Sequence, residues 1–348
     1  MSAETLTSQA GPLKEPQAEP EGRYDDGLSL HGDRRVGVEL EFADLSVPVA
    51  AQLTADLFHG EMRLETRHHA TVSASSLGDF DVLLDTSLSE KLDEDSQTVA
   101  KARVLFGDLA AIVIPVEIAC PPVPAKRLGE IETLVDGLRS AGASGTQRSL
   151  FYAFGTHLNV EAASVEPEAV ARVMRAYLLL EDWLRDQIAV DPSRSAVGFE
   201  KRFSNAYQRH VMAPDYAPDA AALISDYLRF NPSRDFGLDL LPLLASIDEP
   251  AVREALPRQK VSARPAYHYR LPNSEIDNPS WSLRQELDRW RVVERLAASR
   301  AQLAAAAEER LALLSEPLAD LPGRARQSAQ STALGDAVAA LVAQEDAQ

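Results

Sequence analysis

The run Val36-Gly37-Val38-Glu39-Leu40-Glu41-Phe42 carries carboxylates at alternate positions. In a strand, that spacing puts Glu39 and Glu41 on one face and Val38, Leu40 and Phe42 on the other. Two carboxylates side by side repel, so a folded chain that pairs them needs a cation, a proton or open water between them. A wet acidic strand face would account for an isolated pair, and four further segments shift the balance toward a shared ion.

Asp85 follows the apolar run Phe80-Asp81-Val82-Leu83-Leu84 and leads into Thr86-Ser87-Leu88. An Asp there is most simply a turn former or helix cap. Glu117 lies between Pro115-Val116 and Ile118-Ala119-Cys120, where burial without a partner would cost several kcal/mol. In Gly155-Thr156-His157-Leu158-Asn159-Val160-Glu161, His157, Asn159 and Glu161 share a face. A lone strand histidine is more often a satisfied structural residue than a ligand. In Tyr267-His268-Tyr269-Arg270-Leu271-Pro272-Asn273, His268 and Arg270 project together, a metal-competent imidazole beside a phosphate-competent guanidinium.

Glu39, Glu41, Glu117, His157 and His268 are therefore candidate cation ligands, with Arg264 and Arg270 as cations near them in sequence. Carboxylates predominate, which favours magnesium or manganese over zinc. Cations beside arginines are what phosphoryl transfer uses. Taken residue by residue, the chain reads as an enzyme that handles metal and phosphate.

The elements that must position these groups follow from pattern. Strands are expected over residues 34–42, 63–73, 80–84, 111–118, 151–160 and 264–271. Helices are expected over 49–57, 97–106, 128–141, 167–188 and 218–229. One long amphipathic helix is expected over 282–314, and its apolar stripe, with Trp281 and Trp290, serves the core or a homo-oligomer contact. Adjacent hairpin-like strands make a purely parallel sheet a poor fit. The expected fold is α+β, with a mainly antiparallel sheet curled around the site and flanked by helices. Residues 1–32 read as a disordered leader, 33–315 as the catalytic domain, and 316–348 as a flexible tail with at most a short helix.

The chain has 348 residues, 45% hydrophobic and 25% charged, with a formal net charge of −18. That charge argues against nucleic acid or an anionic membrane as partner. Cys120 is the sole cysteine, which leaves no intrachain disulfide and no cysteine-based zinc site and fits a reducing cytoplasm. No apolar run reaches the length of a membrane span. The adjacent His68 and His69 would point to opposite faces of a strand and make a poor ligand pair. The stretches 201–205 and 229–231 are suited equally to a substrate pocket or to solvent.

The ordered series of Gly37-to-Phe42, Asp85-to-Leu88, Val116-to-Pro121, Gly155-to-Asn159 and Tyr269-to-Pro272 resembles the carboxylate–amine ligase superfamily. That group includes glutamine synthetase and glutamate–cysteine ligase, and the closer likeness is to its bacterial amidoligases. The resemblance implies a glutamine-synthetase-like sheet holding ATP and two or three divalent cations. Glu39 and His157 would help hold the cation on the nucleotide phosphates, and Glu41 and Glu117 the cation on the acceptor carboxylate. Arg270 would stabilise the transferred phosphoryl group. Asp85 would be a further ligand or a group near the incoming amine, and Arg264 a second catalytic cation. Two positions depart from the family pattern. Asn159 stands where a second histidine is usual and would contact nucleotide, and His268 stands where a glutamate is usual, which softens the site.

The expected activity is an ATP- and Mg2+-dependent ligase, with Mn2+ as the alternative ion, joining a small-molecule or peptide carboxylate to an amine. A non-catalytic nucleotide binder on the same fold is the second reading. A metal-dependent hydrolase is the third, disfavoured by the absence of H-E-x-x-H and cysteine-rich patterns.

Overall fold

The computed structural model describes residues 33–85, 114–146, 154–191, 194, 200–315 and 321–347. The leader, the helix expected over 97–106, residues Thr86 to Leu88 and the first parts of the strands expected over 111–118 and 151–160 lie outside them.

The fold is α+β, built on one open antiparallel sheet of nine strands. In chain order these are β1 (Arg35–Phe42), β2 (Glu61–Thr66), β3 (His69–Ser73), β4 (Phe80–Leu84), β5 (Val116–Ala119), β6 (Val123–Pro124), β7 (Thr156–Glu161), β8 (Leu238–Asp239) and β9 (Ala266–Tyr269). Their spatial order is β2-β3-β4-β5-β1-β7-β9-β8, with β6 paired to the start of β1. Ten helices flank the sheet among the described residues: α1 (Val47–Phe58), α2 (Leu128–Ser140), α3 (Pro167–Ile188), α4 (Asn205–Met212), α5 (Ala220–Phe230), α6 (Leu241–Ile247), α7 (Glu249–Ala255), α8 (Leu283–Ala298), α9 (Arg300–Ser315) and α10 (Leu321–Asp346).

Period-two alternation decides the division of labour across the sheet. Val36, Val38, Leu40 and Phe42 of β1 are buried with Val116, Ile118, Leu158, Val160, Tyr267 and Tyr269. They share a core with Ala50, Ala51 and Phe58 of α1, Ile131 and Leu134 of α2, and the apolar stripes of α3 and α8. The opposite face of the same strands carries the polar side chains described below. No helix among the described residues is long and apolar enough to cross a membrane.

Three expectations need correcting. The strand expected over 63–73 is a hairpin, β2 and β3, turning at Arg67-His68 where the Thr66 hydroxyl accepts from the His68 N–H at 3.1 Å. The helix expected over 282–314 is two helices, α8 and α9, broken at Ser299, whose backbone is extended (φ −86, ψ 91). No Pro or Gly marks the break. It is set by α3, whose Arg172 donates to the Ala297 carbonyl at 3.2 Å while Glu168 pairs with Arg300 on the other side.

The third correction is larger. The stretch expected as a flexible tail holds α10, whose Val338 and Val342 are buried in the core and whose Arg partners lie on α8 (Arg291–Asp346, Arg295–Glu345). The Ser331 hydroxyl accepts from the Trp183 N–H at 3.0 Å. A Cβ on Gly335 would come within 2.2 Å of the Trp183 ring, so glycine is what lets α10 close on α3. Weak amphipathic patterning hid this helix, since two valines and a glycine are its main anchors. Gly335→Val is expected to destabilise the protein by about 1–3 kcal/mol through overpacking, read by chemical denaturation. An unchanged midpoint would mean that α10 is not docked in solution.

Candidate active site

Strand register assembles the polar face. Glu41 lies opposite Glu117 across β1 and β5, and Glu39 lies opposite His157 across β1 and β7. One step further, Asn159 of β7 lies opposite His268 of β9, which lies opposite Asp239 of β8. The polar positions thus run diagonally over five adjacent strands, all on the face away from the core.

They form two groups. In each, one ligand atom per residue lies within 4.8 Å of the others: Glu39, His157 and His268 in the first, Glu41, Asp85 and Glu117 in the second. All five predicted cation ligands are in these groups, and Asp85 joins the second. In the first group, His157 Nδ1 is 2.9 Å and His268 Nε2 is 3.4 Å from the same Glu39 oxygen. Asn159 donates to the other Glu39 oxygen at 2.9 Å, so in this chain it orients the carboxylate. His157 stands between the groups, with Nε2 3.6 Å from Glu41. Its ring meets that of His268 edge-on at 5.3 Å.

The electrostatics differ between the groups. Burial would raise Glu39, but its interactions with His268 and His157 outweigh that and hold it well below the usual carboxylate range. Burial pushes His157 down to about 3 against the pull of Glu39, so the ring is neutral at ordinary pH. In the second group, burial and then repulsion from Asp85 push Glu41 up to about 7, even though Gly155, Arg194 and Arg270 oppose the shift. Burial and the Glu39, Glu41 and Asp85 charges push Glu117 well above its ordinary value. Three carboxylates this close together are a donor set that fits a hard divalent cation. The first group also fits a cation, because His268 Nε2 is buried without a hydrogen-bond partner.

Arginines border both groups. Arg264 Nη1 is 3.6 Å from Glu39. Arg270 follows β9, its Nη1 donates to the Arg234 carbonyl, and its buried Nε has no hydrogen-bond partner.

Pattern reading missed three parts of the site. Asp239 is fully buried and accepts from His268 Nδ1 at 3.2 Å and from Arg234 at 3.1 Å. The criterion that picked out Glu117 would have found it, since Asp239 interrupts Gly237-Leu238-Asp239-Leu240-Leu241. Arg194 is buried and donates to the carbonyls of Arg270, Leu271 and Pro272, and nothing around it in sequence signals this. Gly155 donates its N–H to Glu41 at 2.6 Å, and a Cβ there would lie 2.8 Å from both His157 Nε2 and Arg194 Nη2. Gly155→Ala must displace one of them. Turnover is expected to fall about 10²-fold, as for other ångström-scale misplacements, with a near-normal melting temperature. Full activity in that variant would show that His157 needs no fixed position.

Other polar stretches fall elsewhere. His69 pairs with Asp81 at 2.6 Å on the half-exposed hairpin, apart from His68. Arg202 pairs with Asp182, and Arg202 to Asn205 line a separate cavity of about 670 Å³ with Arg310 and Arg324, to which neither cluster contributes. Trp281 and Trp290 are core residues.

A family model described as "Putative amidoligase enzyme" matches residues 32–292. No curated protein and no solved structure gives a match. Both clusters, Asp239 and the bordering arginines lie within the matched stretch, and the chain belongs to this amidoligase family of ligase-type enzymes.

Proposed function

We propose that the protein is an ATP- and magnesium-dependent ligase that joins a carboxylate to an amine through an acyl phosphate. One observation carries the reading: two cation-competent clusters stand side by side on one sheet face, bridged by His157 and bordered by Arg264 and Arg270.

The chemistry explains why such a face is needed. A carboxylate resists attack by an amine because oxide is too poor a leaving group. A carboxylate oxygen therefore attacks the γ-phosphorus of ATP and ADP departs, leaving an acyl phosphate. The amine nitrogen then attacks the acyl carbon, inorganic phosphate leaves with the former carboxylate oxygen, and the nitrogen gives up a proton to solvent. Glu39, His157 and His268 would hold a cation on the nucleotide side, and Glu41, Asp85 and Glu117 one on the acceptor side. Bound divalent cations supply the charge neutralisation that lets a triphosphate and a carboxylate approach.

The chain's own residues do the rest. Arg270 offers its unused Nε–H to the transferred phosphoryl group, and Arg264 balances charge at the Glu39 end. The nearness of Asp85 to Glu41 and Glu117 supports a place for it in the cation group over one beside the incoming amine. The acceptor is an amino acid, a peptide or a cell-wall-like carboxylate.

Thermal stabilisation by ATP should require magnesium. ADP release should then appear only with a productive carboxylate–amine pair, found by screening pools of amino acids, polyamines and peptides with mass spectrometry of products. Magnesium-dependent ATP binding with no such pair would favour the non-catalytic binder. Absence of any ATP binding would end the ligase reading.

A further inference from the structure

We infer that Asp239 fixes the His268 ring so that Nε2 is a metal ligand, making the Glu39–His157–His268 group a nitrogen-rich site that selects a borderline first-row ion over magnesium. The neighbouring Glu41–Asp85–Glu117 group, all oxygen, keeps the preference for magnesium. This rests on the reading above that both groups hold cations.

The argument begins at β8. Asp239 is fully buried and both its oxygens are engaged: one accepts from the Leu241 N–H at 3.0 Å, the other from Arg234 Nε at 3.1 Å and from His268 Nδ1 at 3.2 Å. A carboxylate paired with a guanidinium only accepts, so His268 carries a hydrogen on Nδ1. Nε2 is then aimed at Glu39 at 3.4 Å, buried and without a hydrogen-bond partner. A buried imidazole nitrogen aimed at a carboxylate oxygen with no hydrogen bond between them is a pair of donors that a cation can bridge. Carboxylate–histidine pairs of this kind orient metal-binding rings and raise their basicity.

The donor sets then differ in kind. Two imidazoles and one carboxylate suit cobalt, zinc or iron, whereas three carboxylates suit magnesium. A glutamate at position 268 would have left His157 as the single imidazole and brought the first group closer to the second. The histidine, with its own buried aspartate, makes them unlike.

Calorimetric titration of the full chain, stripped with chelator and free of nucleotide, tests this with Co2+ and Mg2+. Wild type should show one class of site that strongly prefers Co2+ and a second that takes Mg2+. Asp239→Asn, whose amide can donate to Nδ1 and turn the ring's hydrogen toward the ion, should weaken the Co2+ site about 10–100-fold and spare the other. His268→Glu, which leaves His157 as the one nitrogen ligand, should sharply narrow the Co2+ preference of the first group and strengthen its Mg2+ binding while sparing the second. Far-ultraviolet dichroism melts confirm that each variant folds.

Two classes of site with no metal preference, or a Co2+ affinity untouched by both variants, would overturn the inference and leave the ligase reading standing. A wild-type chain that binds neither ion would overturn both. An imidazolium in place of the ion would appear as a His268 ring that stays doubly protonated by NMR under saturating Co2+, which also overturns it.

Discussion

Replacing Glu117 or Glu41 by glutamine is expected to lower ATP-dependent turnover about 10²–10³-fold while leaving the chelator-treated protein as stable as wild type or more so. The two face each other across β1 and β5, and Asp85 completes the group. Burial and like charge push both upward, Glu41 to about 7 and Glu117 well above its ordinary value.

The sign of the stability effect follows. An unfolded chain releases these protons near the ordinary value of 4.5, but the folded chain holds them longer. The stability that bound protons contribute is complete below that value and is lost as pH rises toward about 7. For Glu41 the loss is on the order of 3 kcal/mol. In chelator, wild-type melting should therefore fall across this window, and Glu117→Gln should flatten the fall. Magnesium should raise the melting temperature of wild type at about pH 8 and do much less for either variant. A chelator-treated protein that grows more stable through the window would refute the burial argument. Undiminished turnover in a variant would remove that residue from the catalytic set.

Arg270→Lys is the second large effect expected, a fall in turnover of about 10³-fold with a far smaller change in ATP affinity. Arg270 is anchored at both ends: its N–H donates to the Gly237 carbonyl at 2.8 Å, and its Nη1 to the Arg234 carbonyl. The buried Nε is left over for a ligand. Lysine keeps the charge but cannot hold the Arg234 carbonyl and present a second N–H in a fixed plane. The choice of lysine matters, because the Arg270 charge also opposes the upward shift of Glu41 and Glu117. Alanine would disturb both carboxylates and blur the result. Single-turnover ADP formation alongside the ATP dissociation constant separates the two roles. If both move by the same factor, Arg270 binds ground-state phosphate and does no more.

Much of the site was legible from sequence because a strand has a short, rigid period. Once residues 34–42 alternate, Glu39 and Glu41 must share a face, and a carboxylate such as Glu117 inside an apolar run must have company. The same logic, applied to Leu238-Asp239-Leu240, would have found Asp239. A two-residue strand is too short to show a period, and so it went unread. Arg194 carried no signal at all, since its partners are carbonyls on a segment 76–78 residues away.

By itself, then, the sequence determined what is local and periodic: the α+β class, the polar face of β1, β5, β7 and β9, and the residues that would occupy it. Register was left to the tertiary structure. Only strand pairing places Glu41 against Glu117 and Glu39 against His157, which sorts one set of candidate ligands into two groups of different chemistry. Only packing breaks the helix at Ser299, where Arg172 of α3 takes a carbonyl that a continuous helix would have kept. Only packing seats α10, through a glycine pressed against Trp183. The physical reason is the same in each case. Local pattern records what a residue's near neighbours require, whereas these outcomes depend on contacts between segments far apart in the chain, whose energies no short window contains.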